Sequence, residues 1–123
     1  MHGHSSHHVQ GVEIYKGKLV IYGCGDFVDD YALVEEYRND LGGVWRVVVQ
    51  QQDDDERDGA KVVVKRLEMF PTKIEKFAAR RLKAEEEDAR WVRGKVKELS
   101  RELGTEVVVE DEGEGRLLVN VNN

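Results

Sequence analysis

Residues 1–30 read MHGHSSHHVQGVEIYKGKLVIYGCGDFVDD, and the fold is decided in them. All four histidines of the chain, His2, His4, His7 and His8, stand at its head. Directly behind them lies a hairpin. Val12-Glu13-Ile14-Tyr15 and Leu19-Val20-Ile21-Tyr22 are strand-like runs, and Lys16-Gly17 is the two-residue turn between them. A histidine loop carried on a rigid hairpin is suited to hold a metal, because imidazole is a ligand near neutral pH and a scaffold lowers the cost of ordering it. A different origin also fits the spacing. Histidines mixed with serine just after a Met resemble a purification tag or a solvated tail. A tag is usually an unbroken His run, whereas this one passes without a linker into Val9-Gln10-Gly11-Val12.

Composition narrows the classes. A chain of 123 residues is one domain or part of one, spanning residues 1–123. Charged residues make up 36%, above the globular norm of about 25%, and the formal net charge is −6. An acidic chain without a basic face argues against nucleic acid, whose phosphates need Lys and Arg. No run of about 18 apolar residues predicts a transmembrane helix, and the polar N-terminus does not read as a signal peptide. The single cysteine, Cys24, excludes an internal disulfide, and with no targeting signal the expectation is a cytoplasmic product. Cys24 lies between Gly23 and Gly25, where two glycines let the backbone turn or pass close to a neighbour. It reads as a small buried residue, with a nucleophile or third metal ligand as the sharper alternative.

Further along, Val44–Gln50 and Ala60–Phe70 predict a second antiparallel hairpin. Its tip, QQDDDERDG at 51–59, reads as a solvated turn and lacks the spacing of a calcium loop. Tyr31–Asn39 reads as a short helix or ordered loop, broken by Asp40-Leu41-Gly42-Gly43. Pro71 is expected to end the second strand. Thr72 and Glu75 then fit a capping box, so 72–82 is open between helix and extended chain. From Ala84 to Leu103 the pattern is helical, with Ala89, Val92, Val96, Leu99 and Leu103 on one stripe. Glu85 to Asp88 occupy its first turn, favoured by the helix dipole, and Gly104 is placed to stop it. Thr105–Glu110 and Arg116–Val121 predict a last hairpin. The fold class is therefore α/β in the α+β sense: mainly antiparallel hairpins forming one sheet, with one long C-terminal helix.

The segment from Gly3 to Asp30 resembles the CapA family of bacterial poly-γ-glutamate capsule biosynthesis proteins, members of the calcineurin-like metallophosphoesterases. The positions that carry the resemblance are Gly3-His4, His7, Gln10-Gly11, Glu13, Tyr15, Gly17-Lys18 and Tyr22 to Phe27. The order of helix, Glu102-Leu103-Gly104-Thr105, strand and acidic glycine turn near the end is similar as well. The chain departs from the pattern at Ser6, where Pro is common, and at Asp26, where Asn is usual. The family's earlier metal motifs (Asp-x-His, Gly-Asp-x-x-Asp, Gly-Asn-His) do not occur in it. The resemblance implies the C-terminal part of a metallophosphoesterase-like sandwich. It implies that His4 and His7 are late metal ligands, with His2, His8 and Asp26 around them. A divalent ion (Mn, Zn or Fe) is implied, held weakly by this chain alone. The missing ligands would come from an N-terminal half or another chain. Whether the chain is itself an enzyme stays open. The competing expectation is a small non-enzymatic module, stable as a homodimer or other homo-oligomer, with a vestigial site.

Overall fold

The computed structural model describes residues 1, 3, 7–25, 38–52, 61–76, 78–110 and 112–120. Among the described residues the chain folds as antiparallel strands in two sheets with one helix, an α+β arrangement. The reading of Tyr31–Asn39 as a short helix or ordered loop lies outside the described residues except at Arg38 and Asn39, which are in a turn. That of 51–59 as a solvated turn lies outside them except at Gln51 and Gln52, which continue a strand.

The first hairpin forms as the sequence predicts. Strands β1 (Val12–Tyr15) and β2 (Lys18–Ile21) pair antiparallel, Val12 opposite Ile21 and Tyr15 opposite Lys18. Lys16 and Gly17 both take positive φ, 50° and 75°, the backbone of a type I′ turn, whose twist matches that of the flanking strands. This hairpin is a two-stranded sheet of its own and does not join the others in a single one. On the other edge of β2, the Ile21 N–H donates to the Met1 carbonyl (2.8 Å) and the Gly3 N–H donates to the Ile21 carbonyl (2.6 Å). One residue bonding both neighbours of its opposite number is the pattern of a parallel ladder.

The second sheet has the order β3–β4–β7–β6, with β5 also paired to β4. Strand β3 is Leu41–Gln52 and β4 is Lys61–Glu75, a long antiparallel pair with an irregularity between Val48 and Val49. Two expectations are corrected here. β3 begins at Leu41 and not at Val44, so Gly42 and Gly43, read as part of a break before the strand, lie inside it. A Cβ on Gly43 would sit 2.6 Å from the Met69 Sδ, so glycine makes room for the methionine across the ladder. Pro71 does not end β4. Its outer neighbour changes at this point, from β7 (Leu117–Asn120, opposite Arg66–Met69) to β5 (Ala78–Arg81, opposite Thr72–Glu75). The Pro71 carbonyl accepts from the Leu82 N–H (2.9 Å), so its nitrogen faces the gap between those two neighbours, where no N–H is needed. Thr72 and Glu75 are accordingly strand residues and no capping box forms.

Helix α1 spans Glu87–Glu102, three residues shorter at its start than the pattern suggests. Its end follows the glycine rule. Gly104 has φ 78°, its N–H donates to the Arg101 carbonyl (2.9 Å), and the Thr105 N–H donates to the Ser100 carbonyl (2.9 Å), a Schellman closure. Ala89, Val92 and Val96 are buried against Leu67, Met69, Leu117 and Val119 of the sheet. Leu103, placed on the same stripe by spacing, stays 39% exposed because it caps the helix. The last hairpin is shorter than expected, β6 (Val108–Val109) against β7. Among the described residues no helix is long and apolar enough to cross a membrane.

Candidate functional site

The histidine loop is fixed by its neighbours on both sides. Beyond β1 the pairing continues as far as Val9, which bridges Cys24. The Gln10 N–H donates to the Gly23 carbonyl (3.0 Å) and the Tyr22 N–H to the Gly11 carbonyl (3.2 Å). Gly3, at the head of the loop, is bound to β2, and a Cβ there would collide with the Tyr22 carbonyl oxygen at 2.3 Å. His7 takes a positive φ of 62°, an uncommon backbone state for a residue with a Cβ, and its side chain is exposed. His8 is half-buried. It lines a groove of about 440 Å³ between the loop and α1, together with Gln10, Tyr22, Trp91, Lys95 and Leu99.

The helix holds the loop in place. Gly11 lies so close to α1 that a Cβ would be 2.8 Å from the Leu99 carbonyl carbon and 2.9 Å from the Ser100 nitrogen. The free edge of β1 faces two hydroxyls. The Val12 N–H donates to Ser100 Oγ (2.9 Å) and the Ile14 N–H to Thr105 Oγ1 (3.0 Å). Backbone donors that would be stranded at a sheet edge are thereby satisfied. Sequence reasoning missed both hydroxyls. The signal was present: Ser100 follows Val92 and Val96 at four-residue steps, a polar residue on the apolar stripe.

Behind the loop, Trp45 Nε1–H donates to the Cys24 carbonyl (2.9 Å). Gly25, at φ 82°, passes 3.0 Å from the Gly42 Cα if given a Cβ, which is the close approach expected of the glycine pair around Cys24. Cys24 is half-buried, and burial pushes its thiol up from the ordinary value. A raised thiol is a poorer nucleophile at neutral pH. Tyr22 donates to Glu13 Oε2 at 2.6 Å, and that carboxylate raises the phenol.

Of the two expected ligands, His7 is placed on the loop and His4 lies outside the described residues; of the residues expected around them, His8 is placed, while His2 and Asp26 lie outside the described residues. Among the described residues no group of three or more His, Cys, Asp or Glu side chains is arranged to hold an ion. Cys24 therefore does not complete a ligand set with His7 and His8.

The sequence comparisons agree with this loop as the defining feature. Residues 1–31 match the family model described as bacterial capsule synthesis protein PGA_cap. The chain is also similar to the probable polyglutamine synthesis accessory proteins of Mycobacterium tuberculosis strains CDC 1551 / Oshkosh and ATCC 25618 / H37Rv. It is 36% identical to each over 111 residues, 88% of this chain and 27% of the relative. It thus spans about a quarter of the length of the curated relatives it matches. With the family match seated on the histidine loop and hairpin, and 36% identity running through most of the chain, the chain resembles the CapA-like poly-γ-glutamate capsule synthesis family.

Proposed function

We propose that this chain serves in the synthesis of a bacterial glutamate polymer and that its histidine loop contributes His4 and His7 to a two-metal phosphoesterase centre. The observation that carries this reading is the fixation of the loop, by Gly3 on β2, by the Val9–Cys24 bridge and by Gly11 on α1. A solvated tail needs no such anchoring, whereas a metal ligand does, since each loose ligand must be ordered on binding. The similarity to a bacterial capsule synthesis family and to probable polyglutamine synthesis accessory proteins supports such a polymer.

When bound, a pair of divalent ions supplies Lewis-acid polarisation at a phosphoryl oxygen. The chain's own part is to carry the histidines on a segment held at Gly3, Val9 and Gly11. His2, His8 and Asp26 stand next to the ligands in sequence, and Asp26 is suited to accept an N–H from a ligand imidazole. The other ligands belong to residues outside this chain, from an N-terminal half or a partner.

Titration of the chain with Mn²⁺ and Zn²⁺ tests the reading, with hydrolysis of bis-p-nitrophenyl phosphate as a second readout. Weak uptake that disappears in His4→Ala/His7→Ala is expected, with hydrolysis only in a protein that includes the earlier metal motifs. Equal uptake by the double variant removes the loop as a ligand. Metal-dependent hydrolysis by this chain alone shows that no outside ligand is required.

A second reading is a homo-oligomeric, non-enzymatic module. It is favoured by β3, outermost in its sheet, and by the exposure of Val44, Val47, Val49 and Val62. Size-exclusion chromatography separates the two: a monomer over a range of concentrations counts against the module.

A further inference from the structure

The face of the five-stranded sheet turned away from α1 carries a feature that the histidine loop does not use. Leu67 and Met69 point into the core, so Arg66, Glu68 and Phe70 point to the opposite side. There three guanidinium groups share one carboxylate. Arg46 Nη2 donates to Glu68 Oε2 (2.5 Å), Arg66 Nε to Oε1 (3.0 Å) and Arg116 Nη1 to Oε2 (2.7 Å). Glu68 is wholly buried beneath them, while Arg46 and Arg66 remain 56% and 46% exposed. Beside them the Phe70 ring is flanked by Arg46 and Arg81, at 5.3 Å and 4.7 Å from its centroid.

The charges do not balance. Among the described residues the carboxylates paired with these arginines are Glu68, Glu110, which accepts from Arg116 Nε (2.8 Å), and Glu114, 4.0 Å from Arg116 Nη1. All three contact Arg116, two of them without touching Arg46 or Arg66. Arg46 and Arg66 share what is left of Glu68, and Arg81 donates to a backbone carbonyl, that of Glu114. This is an excess of positive charge on a chain whose net charge is −6. Arg46 and Arg66 each spend one nitrogen on Glu68, and about half of each side chain stays open to solvent. Glu68 and the Phe70 ring already hold the guanidinium planes, so less rotamer freedom is lost when a ligand binds. Planar forks of this kind match carboxylates best.

We propose that this sheet face binds a flexible polycarboxylate, an acidic polypeptide chain, through Arg46, Arg66 and Arg81. Naming the polymer as a glutamate chain rests on the reading above; the site itself makes no use of the histidine loop. The test is titration of the ¹⁵N-labelled chain, without metal, with hexaglutamate, using hexaglutamine as the uncharged control. Shifts are expected at Arg46, Arg66, Phe70 and Arg81, with affinity falling at least about tenfold between low and high salt. Arg81→Gln and Arg46→Gln each weaken binding about three- to tenfold. Arg81 does not touch Glu68, so its variant keeps the buried carboxylate neutralised and the fold intact. His4→Ala/His7→Ala leaves binding unchanged, which separates this site from the metal reading. Shifts centred on the histidine loop, equal binding of hexaglutamine, or tighter binding of polyphosphate than of hexaglutamate would each overturn the proposal.

Discussion

Ser100 Oγ, on the last turn of α1, accepts a hydrogen bond from the Val12 N–H at 2.9 Å and so ties the histidine-bearing hairpin to the helix. Both groups are buried. The bond stands in for a missing strand at the edge of β1. Ser100→Ala leaves the Val12 donor without a partner and is expected to destabilise the chain by about 1–3 kcal/mol. Gly11→Ala acts at the same junction by collision with the helix backbone, which cannot swing aside as a side chain would, and is expected to cost about 1–3 kcal/mol or more. Urea denaturation of both variants checks this. A change under about 0.5 kcal/mol in each would mean that the hairpin is held elsewhere.

Glu68 sets an acid limit on stability. The three guanidinium groups, Arg46 first, outweigh burial and hold its carboxyl at about 2, below the ordinary 4.5. A depressed folded value means that the unfolded chain takes up the proton first. The stabilisation is therefore present above about pH 4.5 and lost as pH falls toward 2. The carboxylate is covered only by side chains that are themselves partly exposed, so the contribution is smaller than for a dry ion pair. Thermal melts from pH 5 to pH 2 are expected to fall steeply for the natural chain and less so for Glu68→Gln. That variant starts lower at pH 7, because the arginines lose their shared counter-charge. Parallel curves for the two proteins would remove Glu68 as the source.

These two sites show what the sequence discloses. The first hairpin was legible because Lys16-Gly17 demands positive φ and the flanking runs alternate; the helix end was legible because Gly104 supplies the left-handed closure. Such signals are local. The course of β4 through Pro71 was not legible, since a proline is tolerated there only because β4 exchanges one neighbour for another, a fact of topology. Glu68 was hidden for a related reason. Alternation along KVVVKRLEMF places it on an outer face, and only the folded sheet brings Arg46 and Arg116 over it. At the candidate site, the histidines drew attention by composition, whereas Ser100 and Thr105 act on residues about ninety positions away; the break in the apolar stripe at Ser100 marked a polar position but not its partner.

Arg93 fastens the other end of the helix. It is fully buried and donates to the carbonyls of Gly115 (2.9 Å) and Ala84 (2.8 Å), joining α1 to the loop before β7 and to its own lead-in. Arg93→Met keeps the apolar stem but leaves two buried carbonyls short of a donor. A loss of about 2–4 kcal/mol is expected. Hydrogen exchange should show the damage first in β7, since Gly115 is the residue released. Uniform loss of protection across both sheets would instead show that Arg93 supports the core as a whole.

Cys24 gives a prediction about reactivity. Burial beside Val9 and Trp45 raises the thiol above its ordinary 9.0, so less thiolate exists at pH 8 than in a free cysteine. Alkylation by iodoacetamide at pH 8 is expected to be at least about tenfold slower than for glutathione, since the nucleophile is the thiolate and access is restricted. The rate should keep climbing above pH 9, where a free thiol levels off. Trp45→Phe removes the bond to the Cys24 carbonyl while keeping an aromatic ring, and is expected to speed the reaction by loosening the segment. Modification at the rate of glutathione would mean that the glycines around Cys24 leave its sulfur open to solvent, and would return it to consideration as a ligand beside the histidines.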